Sequence, residues 1–218
     1  DPPTELDLSG GWHDAGDYNK YVNFTYNTVH ALLIAYQRNP EIWTDDYNIP
    51  ESGNGIPDLL DEIKWELDWL LKMQLADGSC LMKVSVPNFE GASPASADNT
   101  PRYYGEASSS ATRTIASLFA HAAFIYQQES DHPELVAYAS DLVDAAESAW
   151  DWIDANPAYS YYNNAGFSCA NPERDEAAQD ELLIGASLML YAATGKNKYR
   201  TFYQNNYAQV RPYTWNFW

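Results

Sequence analysis

The chain has 218 residues, of which 45% are apolar and 20% charged, enough to bury a sizeable core in one domain or two. A net charge of −19 excludes the basic patch that nucleic acid or an anionic membrane surface requires, and no run approaches the roughly 18 apolar residues of a membrane span. The same charge suits a neutral polysaccharide, or better a cationic one, although acidity also serves plain solubility; the 8 Trp and 17 Tyr supply stacking faces or ordinary core.

In chain order, the first feature is an irregular stretch, Leu8-Ser9-Gly10-Gly11-Trp12-His13-Asp14-Ala15-Gly16-Asp17-Tyr18-Asn19-Lys20-Tyr21. Glycines keep it out of regular structure. Asp14 and Asp17 stand among aromatic residues, a composition suited to activating a water beside a sugar whose apolar face lies on a ring. It also describes a solvated turn or a cation site. Asn27 to Gln37 then carries Val29, Leu32, Leu33 and Tyr36 at helical spacing, stopped by Asn39-Pro40. After a polar loop, Pro57 and Asp58, Asp61 and Glu62 open a helix that runs to about Gln74. Its apolar arc, Leu60, Leu67 and Leu71 with Trp65, Trp69 and Met73, is wide enough to be covered on more than one side.

Cys80 to Val86 alternates as a short strand with Met82, Val84 and Val86 on one side. Pro87 to Gly105 is a long loop ending in Arg102, Tyr103 and Tyr104; loops of this length are usually functional or disordered, and the ending favours function. Helices follow over Ser108 to Gln127, Pro133 to Asp154 and Glu176 to Thr194, with the start of a sixth over Tyr199 to Tyr207. Pro157 to Arg174 is an aromatic, Asn-rich loop. The predicted class is all-α, built from antiparallel helix hairpins. Cys80 and Cys169 lack zinc-cluster spacing and form either one long-range disulfide or two buried thiols. His30, His121 and His132 show no metal spacing and read as structural.

Gly10-Gly11-Trp12-His13-Asp14-Ala15-Gly16-Asp17 resembles the signature near the start of the catalytic domain of family 9 glycoside hydrolases, mostly cellulases. Asn54-Gly55-Ile56-Pro57-Asp58-Leu59-Leu60-Asp61-Glu62, then Pro101-Arg102-Tyr103-Tyr104 running into Ser108-Ser109-Ser110-Ala111-Thr112, and Asp180-Glu181-Leu182 extend the resemblance in the same order. It implies an (α/α)6 barrel, of which about half the helices lie in this chain, so residues 1–218 are expected to be the N-terminal portion of a larger catalytic domain. It implies an inverting glycosidase acting on β-1,4-linked polysaccharide or oligosaccharide, with no cofactor for the chemistry, secreted or periplasmic. Such chemistry needs two carboxyl groups roughly 6.5–9.5 Å apart with a water between base and sugar.

Carried onto this sequence, Asp17 matches the general base and Asp14 the carboxylate that helps hold the water. A base that stays ionised beside a like charge needs hydrogen-bond donors, which are expected around Asp17. The family's general acid is a Glu near the end of its domain, expected beyond Trp218. Glu106, Glu173, Glu176 and Glu181 lack its pattern, so these residues alone are expected to hydrolyse little or nothing. Arg102 and Tyr103 match a segment that lines the cleft, though a surface carboxylate would equally occupy Arg102. Trp12 reads as cleft floor or as core. Asp180-Glu181 resembles a pair that ligates calcium in some relatives, with Glu176 and Ala177 in place of the small residues expected before it. His13 replaces a Tyr found in many relatives and occurs in the subgroup with an N-terminal immunoglobulin-like domain, which would precede Asp1. The alternatives are an exo-β-glucosaminidase acting on chitosan oligosaccharides and a non-catalytic sugar-binding module. A purely structural helical domain leaves the Trp-His-Asp-Ala-Gly-Asp stretch unexplained.

Overall fold

Six helices carry the fold in a computed structural model that describes residues 5–89, 91–211 and 213–214. They are α1 (Val22–Arg38), α2 (Asp58–Met73), α3 (Ser109–Tyr126), α4 (Pro133–Ala155), α5 (Glu176–Thr194) and α6 (Asn197–Asn206). Helices α1, α3 and α5 pack side by side in one row, and α2, α4 and α6 lie against them in a second. Helix α3 is the middle of the first row, and of its residues only Phe124 escapes full burial. A helix buried on nearly every side is stable only when surrounded, which its neighbours provide.

The boundaries follow from local chemistry. Ser108 caps α3 by accepting from Ala111 N, and Asp175 caps α5 by accepting from Ala178 N. Gly195, with φ at +67°, ends α5 in the left-handed conformation that glycine adopts at little cost. Helix α1 starts five residues before its predicted start, because Asn23 and Thr25 break the apolar period while being buried. Asn23 is satisfied from α3: its Nδ2 donates to Ser110 Oγ at 2.7 Å, and its Oδ1 accepts from Thr114 Oγ1 at 2.6 Å.

Short strands tie the row together at one end. Strand β1 (Lys20–Tyr21) pairs antiparallel with β3 (Lys83–Ser85), which pairs with β4 (Tyr103–Tyr104), while β2 (Cys80–Leu81) pairs with β5 (Ala107–Ser108). The predicted strand over 80–86 is therefore two strands, and it is buried on both faces rather than alternating. Even Lys83 is buried, its Nζ donating to Asn164 Oδ1 at 2.6 Å and lying 4.9–5.8 Å from the ring centroids of Tyr21, Tyr162 and Phe167. Cys80 and Cys169 are two separate buried thiols. Among the described residues no helix is long and apolar enough to cross a membrane.

His30 on α1 and His121 on α3 meet in this core, Nδ1 to Nδ1 at 2.7 Å, with His30 Nε2 3.1 Å from Ser117 Oγ. One Nδ1 must donate and the other accept, which two neutral rings satisfy as complementary tautomers. Burial pulls His30 down to about 3 and His121 to about 4. Both folded values lie below that of an unfolded histidine, so the unfolded chain binds protons first. Their stabilisation is present above about pH 6.5 and is lost as pH falls towards 3. Unfolding free energies measured from pH 6.5 to 4 should therefore fall by up to about 1.4 kcal/mol per pH unit for each histidine, and less steeply in His121→Asn. Equal slopes in the two proteins would show that the pair plays no part in acid sensitivity.

Candidate active site

The loops that precede α1, α3 and α5 all contribute to one end of the row. In the first of them, Asp14 N donates to Asn19 O at 2.8 Å and Tyr18 N to Ala15 O at 3.2 Å, closing a tight bend around Asp17. Tyr18 holds φ at +58°, a left-handed conformation uncommon outside glycine. Its hydroxyl donates to Ala92 O at 2.6 Å, which fixes the bend against the second loop. Gly91 also closes on this bend, its Cα facing the Gly16 carbonyl with no room for a Cβ.

Asn19 orients Asp17. Its Nδ2 donates to Asp17 Oδ2 at 2.7 Å and its backbone N–H to Oδ1 at 3.3 Å. Two donors thus face the Asp17 carboxylate, as the sequence predicts. Asn19 is itself fully buried, with Oδ1 accepting from Val86 N at 2.9 Å and Nδ2 lying 3.3 Å from Cys169 Sγ. Asp14 is exposed, and burial together with the charge of Asp17 raises its carboxyl above the usual range. The bend thus holds one carboxylate by hydrogen bonds and places a second at the surface beside it.

Helix α2 clamps the other side of the loop. Trp12 N donates to Glu66 Oε2 at 2.5 Å and Trp12 Nε1 to Glu62 Oε1 at 2.6 Å. Burial pushes the Glu66 carboxyl up to about 8, against the Trp12 N–H and the Lys20 charge, and pulls Lys20 down to about 8. Lys20 Nζ donates to Leu8 O at 2.6 Å and Gly10 O at 2.7 Å, pinning the start of the loop. The Asn54–Glu62 motif is scaffold: Asp58 accepts from Tyr47 N and Ser52 Oγ, and Asp61 from Asn54 Nδ2, folding the preceding loop onto α2.

Two hollows flank His13. A cleft of about 920 Å³ is lined by His13, Trp65, Arg102 and Tyr103 among others. A smaller recess of about 290 Å³ holds Trp12, His13 and Asp14 with Phe24 and Thr28. The larger hollow is lined by neither Asp14 nor Asp17, whereas Asp14 lines the smaller recess. Arg102 Nη2 donates to Asp98 Oδ2 at 2.5 Å, so a carboxylate does occupy it while it lines the cleft. Trp12 is half-buried and packed on the core, and it also walls the recess beside Asp14.

The sequence profile of Glycosyl hydrolase family 9 matches residues 1–218. The chain belongs to glycosyl hydrolase family 9. It is 35% identical over 209 residues to Endoglucanase D of Acetivibrio thermocellus, covering 94% of this chain and 32% of that protein. To a xyloglucan-specific endo-β-1,4-glucanase of Bacteroides ovatus it is 35% identical over 211 residues, covering 90% of this chain and 34% of the other. The crystal structure of a metagenome-derived family 9 endoglucanase superposes with a TM-score of 0.84 at 33% identity, covering 97% of this chain and 38% of that one. The chain therefore spans about a third of the length of these relatives. The family 9 neighbours are (α/α)6-barrel enzymes, and the two rows of three helices supply about half the helices of such a barrel.

Within this family 9 chain, two of the glutamates near the loops, Glu173 and Glu181, are engaged by other groups. Glu173 accepts from Tyr162 N at 2.5 Å and from Ser110 Oγ at 2.6 Å, which makes it a strut between the third loop and α3. Asp180 accepts from Tyr159 OH at 2.8 Å, and Glu181 from Arg211 Nε at 3.0 Å beside a separate hollow of about 420 Å³. A calcium ion fits this arrangement poorly, since a guanidinium already neutralises Glu181 and the two carboxylates are held by different partners. Among the described residues no group of three or more His, Cys, Asp or Glu could hold a metal ion.

Sequence reasoning missed Asn19, Lys20, Glu62, Glu66 and Trp65. One signal was available for Glu66: a carboxylate at helical spacing from Ile63, Trp69 and Leu70 interrupts an apolar arc, and charges in that position are kept only when partnered.

Proposed function

We propose that this chain supplies the base half of an inverting glycosidase that cuts β-1,4-linked glucan. In this reading residues 1–218 are the N-terminal portion of the catalytic domain, secreted or periplasmic, completed by a C-terminal half that carries the general acid. An immunoglobulin-like domain ahead of Asp1 would suit the His13 subgroup. The Asn19 contacts to Asp17 carry the proposal. They hold the Asp17 carboxylate in one orientation, while the Asp14 side-chain carboxylate beside it accepts no hydrogen bond among the described residues.

In the reaction, Asp17 takes a proton from a water that Asp14 helps to hold, as that water's oxygen attacks the anomeric carbon. The bond from that carbon to the glycosidic oxygen breaks, and the leaving oxygen takes a proton from the acid on the opposite side. Arg102 and Tyr103 line the cleft where neighbouring sugar rings would lie. The names of the relatives, endoglucanase and endo-β-1,4-glucanase, support a β-1,4-glucan substrate. Calcium at Asp180 and Glu181 is not part of the proposal.

The test is proton NMR of cellopentaose hydrolysis by the longest natural protein that contains these residues. The α-anomer of the new reducing end should appear first. Initial release of the β-anomer, or turnover of glucosamine oligomers with none of cellopentaose, would overturn the reading.

A further inference from the structure

Three tryptophans surround the acidic loop, and they are not equivalent. Trp69 is 1% exposed, and Trp12 gives both its N–H groups to Glu62 and Glu66. Trp65 is 49% exposed and stands outside the core cluster. Its indole N–H donates to no protein group among the described residues. The ring is nevertheless placed: Cζ2 lies over the bare backbone of Gly10, 3.9 Å from where a Cβ would be, on the wall of the 920 Å³ cleft. A large indole held half in water on a helix face otherwise occupied by Lys64, Asp68 and Lys72 is an informative exposure.

We infer that Trp65 is an outlying stacking platform for a neutral pyranose ring of a bound β-1,4-glucan, remote from the bond being cut. This rests on the reading of the chain as a β-1,4-glucan hydrolase. Three tyrosines also line the cleft, of which Tyr103 is 49% exposed, together with the polar side chains of Asp7, His13 and Arg102. A pyranose is apolar on its faces and hydroxylated around its rim, so rings alternating with hydrogen-bonding groups match it better than they match an apolar peptide. His13 separates this cleft from the recess that holds Asp14, and neither aspartate lines it. A sugar on Trp65 is therefore not the reacting one. It adds affinity only for chains long enough to reach it.

Calorimetric titration of the longest natural protein containing these residues, carrying Asp17→Asn so that the sugar is not cut, with cellobiose and cellopentaose tests the assignment. Trp65→Ala should weaken cellopentaose binding about tenfold and leave cellobiose unchanged, while Trp65→Phe recovers most of the loss. Alanine is a good helix former at an exposed position, so the unfolding midpoint of the Ala variant should match the parent. Where it does not, the Phe variant gives the comparison. Undiminished cellopentaose binding by Trp65→Ala, with loss in Tyr103→Ala, would overturn the platform and leave the glucan reading standing. Equal losses for both sugars would overturn its remoteness. Binding of neither sugar by the Asp17→Asn parent would overturn the platform and count against the glucan reading too.

Discussion

Asp17→Asn should lower the hydrolysis of soluble β-1,4-glucan by about 10²–10⁴-fold in the longest protein containing this chain, with KM little changed. The size follows from the role: a general base contributes through proton transfer in the transition state, and an amide has no comparable basicity. Constancy of KM follows from the geometry. The substituted amide keeps one oxygen, enough for the 2.7 Å contact from Asn19 Nδ2, and gives up only the longer 3.3 Å contact from the Asn19 N–H, so the bend and the cleft beside it keep their shape. Reducing-sugar release measured across a substrate series gives both parameters. A loss smaller than about tenfold would mean that Asp17 is not the base. Asp14 would be next in line, since it stands unpartnered beside the same bend and burial and the Asp17 charge raise its pKa.

Gly11→Ala should destabilise the folded chain by about 2–5 kcal/mol, read from denaturant unfolding. Two costs add. Gly11 has φ at +71°, where a side chain collides with its own backbone. A Cβ there would also lie 2.6–2.8 Å from Cβ, Cγ and Cδ2 of Trp69, which is buried on α2 and cannot give way. Unfolding at the parent midpoint would show that the loop shifts freely over α2, and the Trp12 clamp would then lose its meaning as a fixed point.

The helices were readable where punctuation and periodicity agreed. Helix α5 begins at Glu176 and ends at Thr194 as predicted, because Gly195 stops it and Leu182, Ala186 and Leu190 recur at helical spacing. Helix α1 was shortened because Asn23 and Thr25 are polar and yet buried, and only Ser110 and Thr114 on α3 explain Asn23 there. The strand pattern misled for a related reason: Lys83 and Ser85 look like solvent-facing positions, but helices and the third loop cover that face as well.

For the site, the motif located Asp14 and Asp17 because two acids among glycines and aromatics are visible side by side. It could not show what holds them. Glu66 meets Trp12 across 54 positions, and Asn19 meets Val86 across 67 and Cys169 across 150. Local pattern carries no trace of contacts at that range.

Those separations bear on how the site exists at all. The orientation of Asp17 depends on an Asn19 side chain whose other contacts arrive only after two long stretches of chain have closed. The entropy of each closure is offset by the helix rows, not by the few hydrogen bonds at the bend. A peptide spanning the acidic motif would therefore carry its residues without its geometry. The contact order of the site is high although that of each helix is low, so the orientation of Asp17 is a property of the assembled chain.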